Sequence, residues 1–441
     1  MRPTLALLAA PIALAALAEV HDASACGGCF VSQSESTQVT GHRMVLSVST
    51  TATTLWDQIS YQGNPESFAW VLPINGVADI GLSSDLLFEA LAASSVVSIN
   101  SPQITCPPPP DCGGDLAAGS SDTTTGTGGG GSGVEVVAHE VVGPYETVQL
   151  SSQDPNALQD WLTTHGYAVP AEMAPVIGAY VQGGFDFLAL KLVPGQGIDA
   201  MRPVRITTPG ASPALPLRMV AAGTGAKTAI SLWVFGEGRY EPANFPSFTI
   251  AQDDLVWDWT AQSSNYSELA QAQFAASGGK AWLVDVAEPF GVSSLGYTLS
   301  SQAEYDPYGS GYADEQGQGA VEAAQADVAA LLGGMSESTV WITRMYSELS
   351  RAALATDLGV QAASDQSVLN RYLNVTKSKG SPPACPSFPP CNSGPDDDAA
   401  GLSSGGGACA TGSDTSSPAG VLSLFGLVAA AATVARRRRR R

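Results

Sequence analysis

Residues Arg43–Ile74 read RMVLSVSTTATTLWDQISYQGNPESFAWVLPI, and this stretch decides the fold class. Arg43 to Thr50 alternates apolar and polar residues through Met44, Leu46 (after Val45) and Val48, the period-two signature of a half-buried strand. Trp56 to Tyr61 and Ser67 to Ile74 read as two more strands, and Gly63-Asn64-Pro65 between them is turn chemistry. Ser84-Asp85 then caps an apolar helix through Leu91.

The same mixture continues downstream. Val134 to Val142 is strand-like, and Asp154-Pro155 starts a helix with a cap followed by proline in the first turn. Leu158, Trp161 and Leu162 give that helix one apolar face, with Trp161 expected to fill a large core site, and His165-Gly166 ends it. Phe185 to Val193, Pro203 to Thr207, Leu215 to Val220, Ala229 to Phe235 and Thr339 to Tyr346 read as strands. Ser267 to Ala276, Val321 to Leu332 and Arg351 to Leu358 read as helices. No regular βαβ rhythm emerges. The expected fold is therefore α+β: mixed, mostly antiparallel sheets with a few short helices, flanked by low-complexity linkers.

Two segments cannot form a core. Residues 113–133 are Gly/Ser/Thr/Asp-rich, and about 381–418 is a second low-complexity stretch containing Asp396-Asp397-Asp398. They separate a β-rich part (26–112) from the main α+β part (134–380), with 381–418 as a stalk. The chain begins with Arg2, an apolar run from Leu5 to Ala18, and the small-x-small site Ala23-Ser24-Ala25, a signal peptide over 1–25 with Cys26 as first mature residue. A lipoprotein alternative for Cys26 lacks the usual leucine near position −3. At the other end Cys409 is followed by a short spacer, a hydrophobic segment at 419–435 that is short but long enough to span, and six arginines, Arg436 to Arg441, that stay cytoplasmic. These four parts resemble the MYXO-CTERM sorting tail of myxobacterial surface proteins. That resemblance implies cleavage at Cys409 and exchange of the tail for an anchor.

Other segments resemble the bacterial domain-of-unknown-function family numbered 2330. They are Ala25-Cys26-Gly27-Gly28-Cys29-Phe30, Trp56 to Tyr61 with Phe68 to Pro73, Gly143-Pro144-Tyr145-Glu146, Trp161-Leu162 with Gly166-Tyr167, Pro216-Leu217-Arg218 and Thr343-Arg344-Met345. The resemblance covers nearly all of 25–360 and implies secretion and a shared core, with no activity and no catalytic residues. The linker at 113–133 and Cys29 are elaborations on it.

Seven cysteines form three close pairs and a single: Cys26 and Cys29, Cys106 and Cys112, Cys385 and Cys391, then Cys409. Outside the cytoplasm the six paired ones read as disulfides, and local closure of each proline-rich pair is the simplest expectation. A redox role for Cys26-Gly27-Gly28-Cys29 lacks the strand-to-helix setting such motifs use. Zinc lacks a second Cys/His pair at finger spacing.

Residues 26–408 hold 13 of the 20 lysines and arginines and 38 of the 41 acidic residues, a net charge of −25. Such a surface repels nucleic acid and anionic headgroups. Catalytic patterns fail in turn. His42, His139 and His165 are isolated in sequence, and each reads as a satisfied surface or core side chain. Gly401 to Gly405 copies a nucleophile-elbow string inside a low-complexity stretch, where no strand or helix can flank it. Gly223 to Thr228 has alanine where a phosphate loop needs glycine. Asp306, Ser310, Asp314 and Glu315 lack calcium-loop spacing. Trp257-Asp258-Trp259 with Tyr266 reads as core packing rather than a sugar platform, and Arg202, Arg205 and Arg218 read as partners of carboxylates.

No cofactor is expected. The partners are a signal peptidase, a tail-processing protease, the membrane before processing, and an extracellular partner whose nature the residues do not specify. The leading reading is a non-enzymatic binding or structural component of the envelope. An extracellular hydrolase or thiol–disulfide enzyme assembled from distant residues is the alternative, and a buried histidine with a carboxylate in a pocket would favour it. An assembly factor completed by calcium or a partner strand is a third reading.

Overall fold

The structure is a computed structural model that describes residues 29–31, 38–62, 68–107, 140–150, 155–165, 169, 171, 173–193, 201–221, 224–314 and 316–387. Ala25, Cys26, Cys112, Cys391, Cys409, His139, the 113–133 linker and the 419–435 segment lie outside them. Seven helices are described: α1 (Asp85–Ser95), α2 (Pro155–Thr164), α3 (Met173–Gln182), α4 (Leu217–Val220), α5 (Tyr266–Ala276), α6 (Val292–Tyr305) and α7 (Ala320–Leu332). None of them is long and apolar enough to cross a membrane.

Two sheets make the body. The larger has eight strands in the order Ser247–Phe248, Trp282–Pro289, Val340–Ser350, Thr224–Glu237, Gln38–Val48, Ala52–Gln62, Val204–Pro209 and Asp79–Leu82. The smaller has five: Cys29–Val31, Phe68–Ile74, Asp186–Leu192, Tyr145–Leu150 and Glu140–Val142. Most neighbours are antiparallel, while Gln38–Val48 beside Thr224–Glu237 is parallel. The fold is α+β, and strands from before and after the 113–133 linker share the larger sheet.

The layers follow from which faces are apolar. Met44, Leu46, Ile230, Leu232 and Val234 of the larger sheet meet Trp70, Leu72, Leu188 and Leu190 of the smaller in one core. On the far side of the larger sheet, Val45, Trp56, Trp233 and Phe235 pack against α1, α6 and α7, while α5 covers Leu283 and Tyr346. On the far side of the smaller sheet, Val71, Phe187 and Ala189 pack against α2 and α3. The result is four layers, helix–sheet–sheet–helix. Central strands are covered on both faces, so Ser231-Leu232-Trp233-Val234-Phe235 is a nearly continuous apolar run rather than an alternation.

A bulge at Thr40, between Val39 and Gly41, turns the strand so that Val39 and the even-numbered residues from Met44 on face the same core. Gly41 is required there. A Cβ on it would stand 2.9 Å from the Ala229 carbonyl oxygen of the parallel neighbour.

Three expectations are corrected. Leu215 to Val220 is not a strand: after Ala214–Leu215 the chain turns at Pro216 into α4, which buries Leu217, Met219 and Val220 in a single turn. Arg351 to Leu358 is not a helix. A short 3-10 turn at Ala353–Ala355 gives way to the strand Leu358–Ala362, because alternate Leu358 and Val360 are buried while the strand pairs with Ala214–Leu215 and Tyr240–Pro242. Finally, Cys106 does not close locally on Cys112, nor Cys385 on Cys391. Cys106 bonds to Cys385, 279 residues away, with Cα atoms 5.4 Å apart. The parallel pairing of Ser98–Asn100 with Tyr372–Asn374 carries the two proline-rich segments out side by side, which brings these sulfurs together.

Candidate functional site

A cleft of about 90 Å³ opens at one end of the two-sheet sandwich. Leu46, Leu55 and Ile206 of the larger sheet and Leu72 and Ile74 of the smaller form its apolar wall. The turn from Ser212 to Pro216 and the end of α3 complete it. It is smaller than the roughly 150 Å³ engineered cavity known to hold benzene and far below the roughly 300–1,000 Å³ of small-molecule pockets. Its size fits a single small apolar group.

Asp357 sets the polar rim. Its Oδ1 accepts from the Tyr180 hydroxyl (2.6 Å) and the Arg218 backbone N–H (2.9 Å), and its Oδ2 accepts from Arg218 Nε (2.9 Å) and Nη2 (2.6 Å). The guanidinium also lies 4.5 Å from the Tyr180 ring centroid. Burial, reinforced by Asp357, pushes the Tyr180 phenol far up, so it stays a hydroxyl donor. The hydrogen bond to Asp357 raises Arg218 further. A carboxylate accepting four hydrogen bonds has no lone pair to spare for proton transfer. Asp357 thus holds the shape of the rim rather than serving as its acid or base.

The interior does contain a histidine with a carboxylate. His42 Nδ1 lies 3.0 Å from both Asp57 oxygens, on neighbouring strands, and both side chains are almost fully buried. His42 Nε2 has no hydrogen-bond partner among the described residues. A catalytic dyad requires a nucleophile or a substrate proton at that nitrogen, within hydrogen-bond reach. The pair sits on the strands between the sheets and does not line the cleft, so it has the form of an active-site fragment without its reacting partner.

Two other buried carboxylates are tied into the frame. Asp327 of α7 accepts from Trp56 Nε1 (2.9 Å), Arg205 Nη1 (2.8 Å), Ser83 Oγ (2.5 Å) and the Tyr312 hydroxyl (2.8 Å). It thereby links a helix to the larger sheet. Asp285 stands 3.5 Å from Arg344 at a bulge between Val284 and Val286. Burial raises its pKa, and Arg344 opposes that shift without cancelling it.

Arg205 and Arg218 do pair with carboxylates, whereas Arg202 donates instead to the Ser83 and Ala313 carbonyls. Trp257 is buried beside Leu255 and Val375 in a small core. Asp306 and Asp314 accept backbone N–H groups of their own loop, from Gly309 and from Gln316 and Gln318. His165 is exposed, its ring stacked on Trp161 at 4.2 Å. Cys29 opens the strand Cys29–Val31. Among the described residues no group of three or more His, Cys, Asp or Glu stands where it could hold a metal ion.

Asp57, Asp327, Asp357 and Tyr180 escaped the reading of the sequence. One of them left a signal: Ala320, Ala324, Asp327 and Leu331 fall on a single helical stripe, so Asp327 interrupts an apolar face.

Residues 20–358 match the family described as uncharacterized protein conserved in bacteria (DUF2330). No curated protein matches the chain. Among solved structures, the baculovirus P35 crystal structure aligns at 10% identity with a TM-score of 0.24, over 46% of this chain and 66% of its own.

Proposed function

The chain belongs to the bacterial family of domain of unknown function 2330, which brings a shared body and no activity, and from that premise we propose an exported, surface-anchored protein with a binding or structural role in the envelope and no catalysis. The observation that carries this reading is the cleft whose only carboxylate among the described residues, Asp357, is fully engaged by Tyr180 and Arg218. Such a recess takes up an apolar side chain of a partner and performs no proton transfer. Export and anchoring rest on the sequence: signal peptidase acts between Ala25 and Cys26, and a tail-processing protease acts at the MYXO-CTERM-like Cys409 after the 419–435 segment has held the chain in the membrane. The acidic charge turns nucleic acid away.

The experiment is photo-crosslinking on intact cells. A photoreactive side chain at Ser212, on the cleft rim, should trap one discrete envelope partner, while the same probe at exposed Val368 should not. Identical product patterns from the two positions would overturn the binding reading. Hydrolysis of an ester, peptide or glycoside by the purified chain, abolished in a folded His42→Asn variant, would replace it with the enzyme reading.

A further inference from the structure

Three tyrosines stand further out than any other large apolar or aromatic side chain among the described residues: Tyr305 at 89%, Tyr297 at 77% and Tyr308 at 68% exposed. All belong to α6 and the loop after it. The helix buries Val292, Leu295, Leu299 and Ala303, and its outward side carries Tyr297 and Tyr305, about 12 Å apart along the axis. Tyr308 is held in place rather than trailing in solvent. A Cβ at Gly317 would fall 2.6 Å from its hydroxyl, and the loop between is pinned by the Asp306 and Asp314 backbone hydrogen bonds. The Tyr308 ring is therefore partly preorganised.

The segment that carries them is acidic along its length, and Arg202, the base that reaches its loop, is part-buried and occupied by the Ala313 and Ser83 carbonyls. No lysine, arginine or histidine occurs from residue 281 to 343, while Glu304, Asp306 and Asp314 are exposed on this face. Such a surface repels anions and attracts cations, and a tyrosine ring face adds its own attraction for ammonium or guanidinium groups. We infer that this face binds a lysine- or arginine-rich polypeptide segment laid across Tyr297, Tyr305 and Tyr308 between the three carboxylates. A neutral glycan would also stack on the rings, but it would gain nothing from the carboxylates or from a stretch free of bases. The inference extends the binding reading to a second surface; losing it leaves the Ser212 crosslink to be judged separately.

The test measures anisotropy of a labelled oligo-arginine peptide titrated with the full chain. Binding should weaken as salt rises from about 0.05 to 0.3 M. Tyr297→Ser with Tyr305→Ser leaves net charge unchanged and should weaken binding about tenfold, whereas the two Tyr→Phe changes should retain it. Both sites are exposed helix positions, and an unchanged melting temperature verifies the fold. Wild-type affinity in the double serine variant would overturn the inference, since net charge alone would then account for binding. Displacement of the peptide by neutral chitohexaose would overturn it in favour of a glycan.

Discussion

At the scale of single residues, the buried carboxylates separate by how fully they are satisfied. Asp327 gathers four donors, one of them the Arg205 cation, so Asp327→Ala strands all of them in the interior. Denaturant unfolding should show a loss of about 3–5 kcal/mol. Trp161→Ala provides the contrast. Its ring is only half-buried and lies on His165, so the large core site expected from its helical spacing is not there, and the loss should be about 1–2 kcal/mol. Asp285 is under-satisfied, and its pKa is raised in the fold. The folded chain therefore holds this proton more tightly than the unfolded chain, and the stability it contributes is full below the unfolded value of 3.8 and is lost as pH rises through the folded one. Asp285→Asn should accordingly gain stability relative to wild type between acid and mildly alkaline pH. Unfolding free energies measured at both ends check the sign, and a relative loss on the alkaline side would mean that the Arg344 attraction outweighs desolvation.

At the scale of elements, strands were legible wherever their cover was simple. Parts of Gln38–Val48, Ala52–Gln62 and Thr224–Glu237 were legible, the first through the alternation of Arg43 to Thr50 and the others as Trp56 to Tyr61 and Ala229 to Phe235. Other elements were hidden for physical reasons. Trp282–Pro289 carries Asp285 at a bulge, so a charge breaks its apolar pattern. α3 contains proline and glycine, and α6 is built of Ser, Thr and Gly with poor intrinsic preference for helix, so both depend on the stripe they bury. The cleft was equally hidden, since Tyr180 of α3, Arg218 of α4 and Asp357 of the turn before Leu358–Ala362 are far apart in sequence and meet only in the folded chain. The cysteine spacing suggested local loops because nothing in it encodes the parallel run of Ser98–Asn100 beside Tyr372–Asn374. Peptide mapping without reductant should recover Cys106 joined to Cys385, and a peptide with Cys106 joined to Cys112 would refute that pairing. Replacing either bonded cysteine by serine should cost about 2–5 kcal/mol.

For the whole molecule, the position of Gln38–Val48 is decisive. It lies between Ala52–Gln62 and Thr224–Glu237, so the larger sheet cannot close without strands from both sides of the linker. Residues 26–112 expressed alone leave that strand with an open edge and one uncovered apolar face, and should give no cooperative unfolding transition by circular dichroism. A cooperative transition from the fragment would show a separate domain there.

The Cys106–Cys385 bond also governs how the body would carry load. Traction applied beyond residue 387 reaches Cys385 and divides, one share running back toward Tyr372–Asn374 and the other crossing the sulfurs toward Ser98–Asn100. Because those two strands are parallel, both are drawn the same way, and the pair is not sheared. Without the bond the whole pull would fall on Lys377–Lys379 and Tyr372–Asn374, which are only three residues long and would peel first. Under such a pull the disulfide would act as a strain relief, like the clamp that keeps a cable's tension off its solder joint.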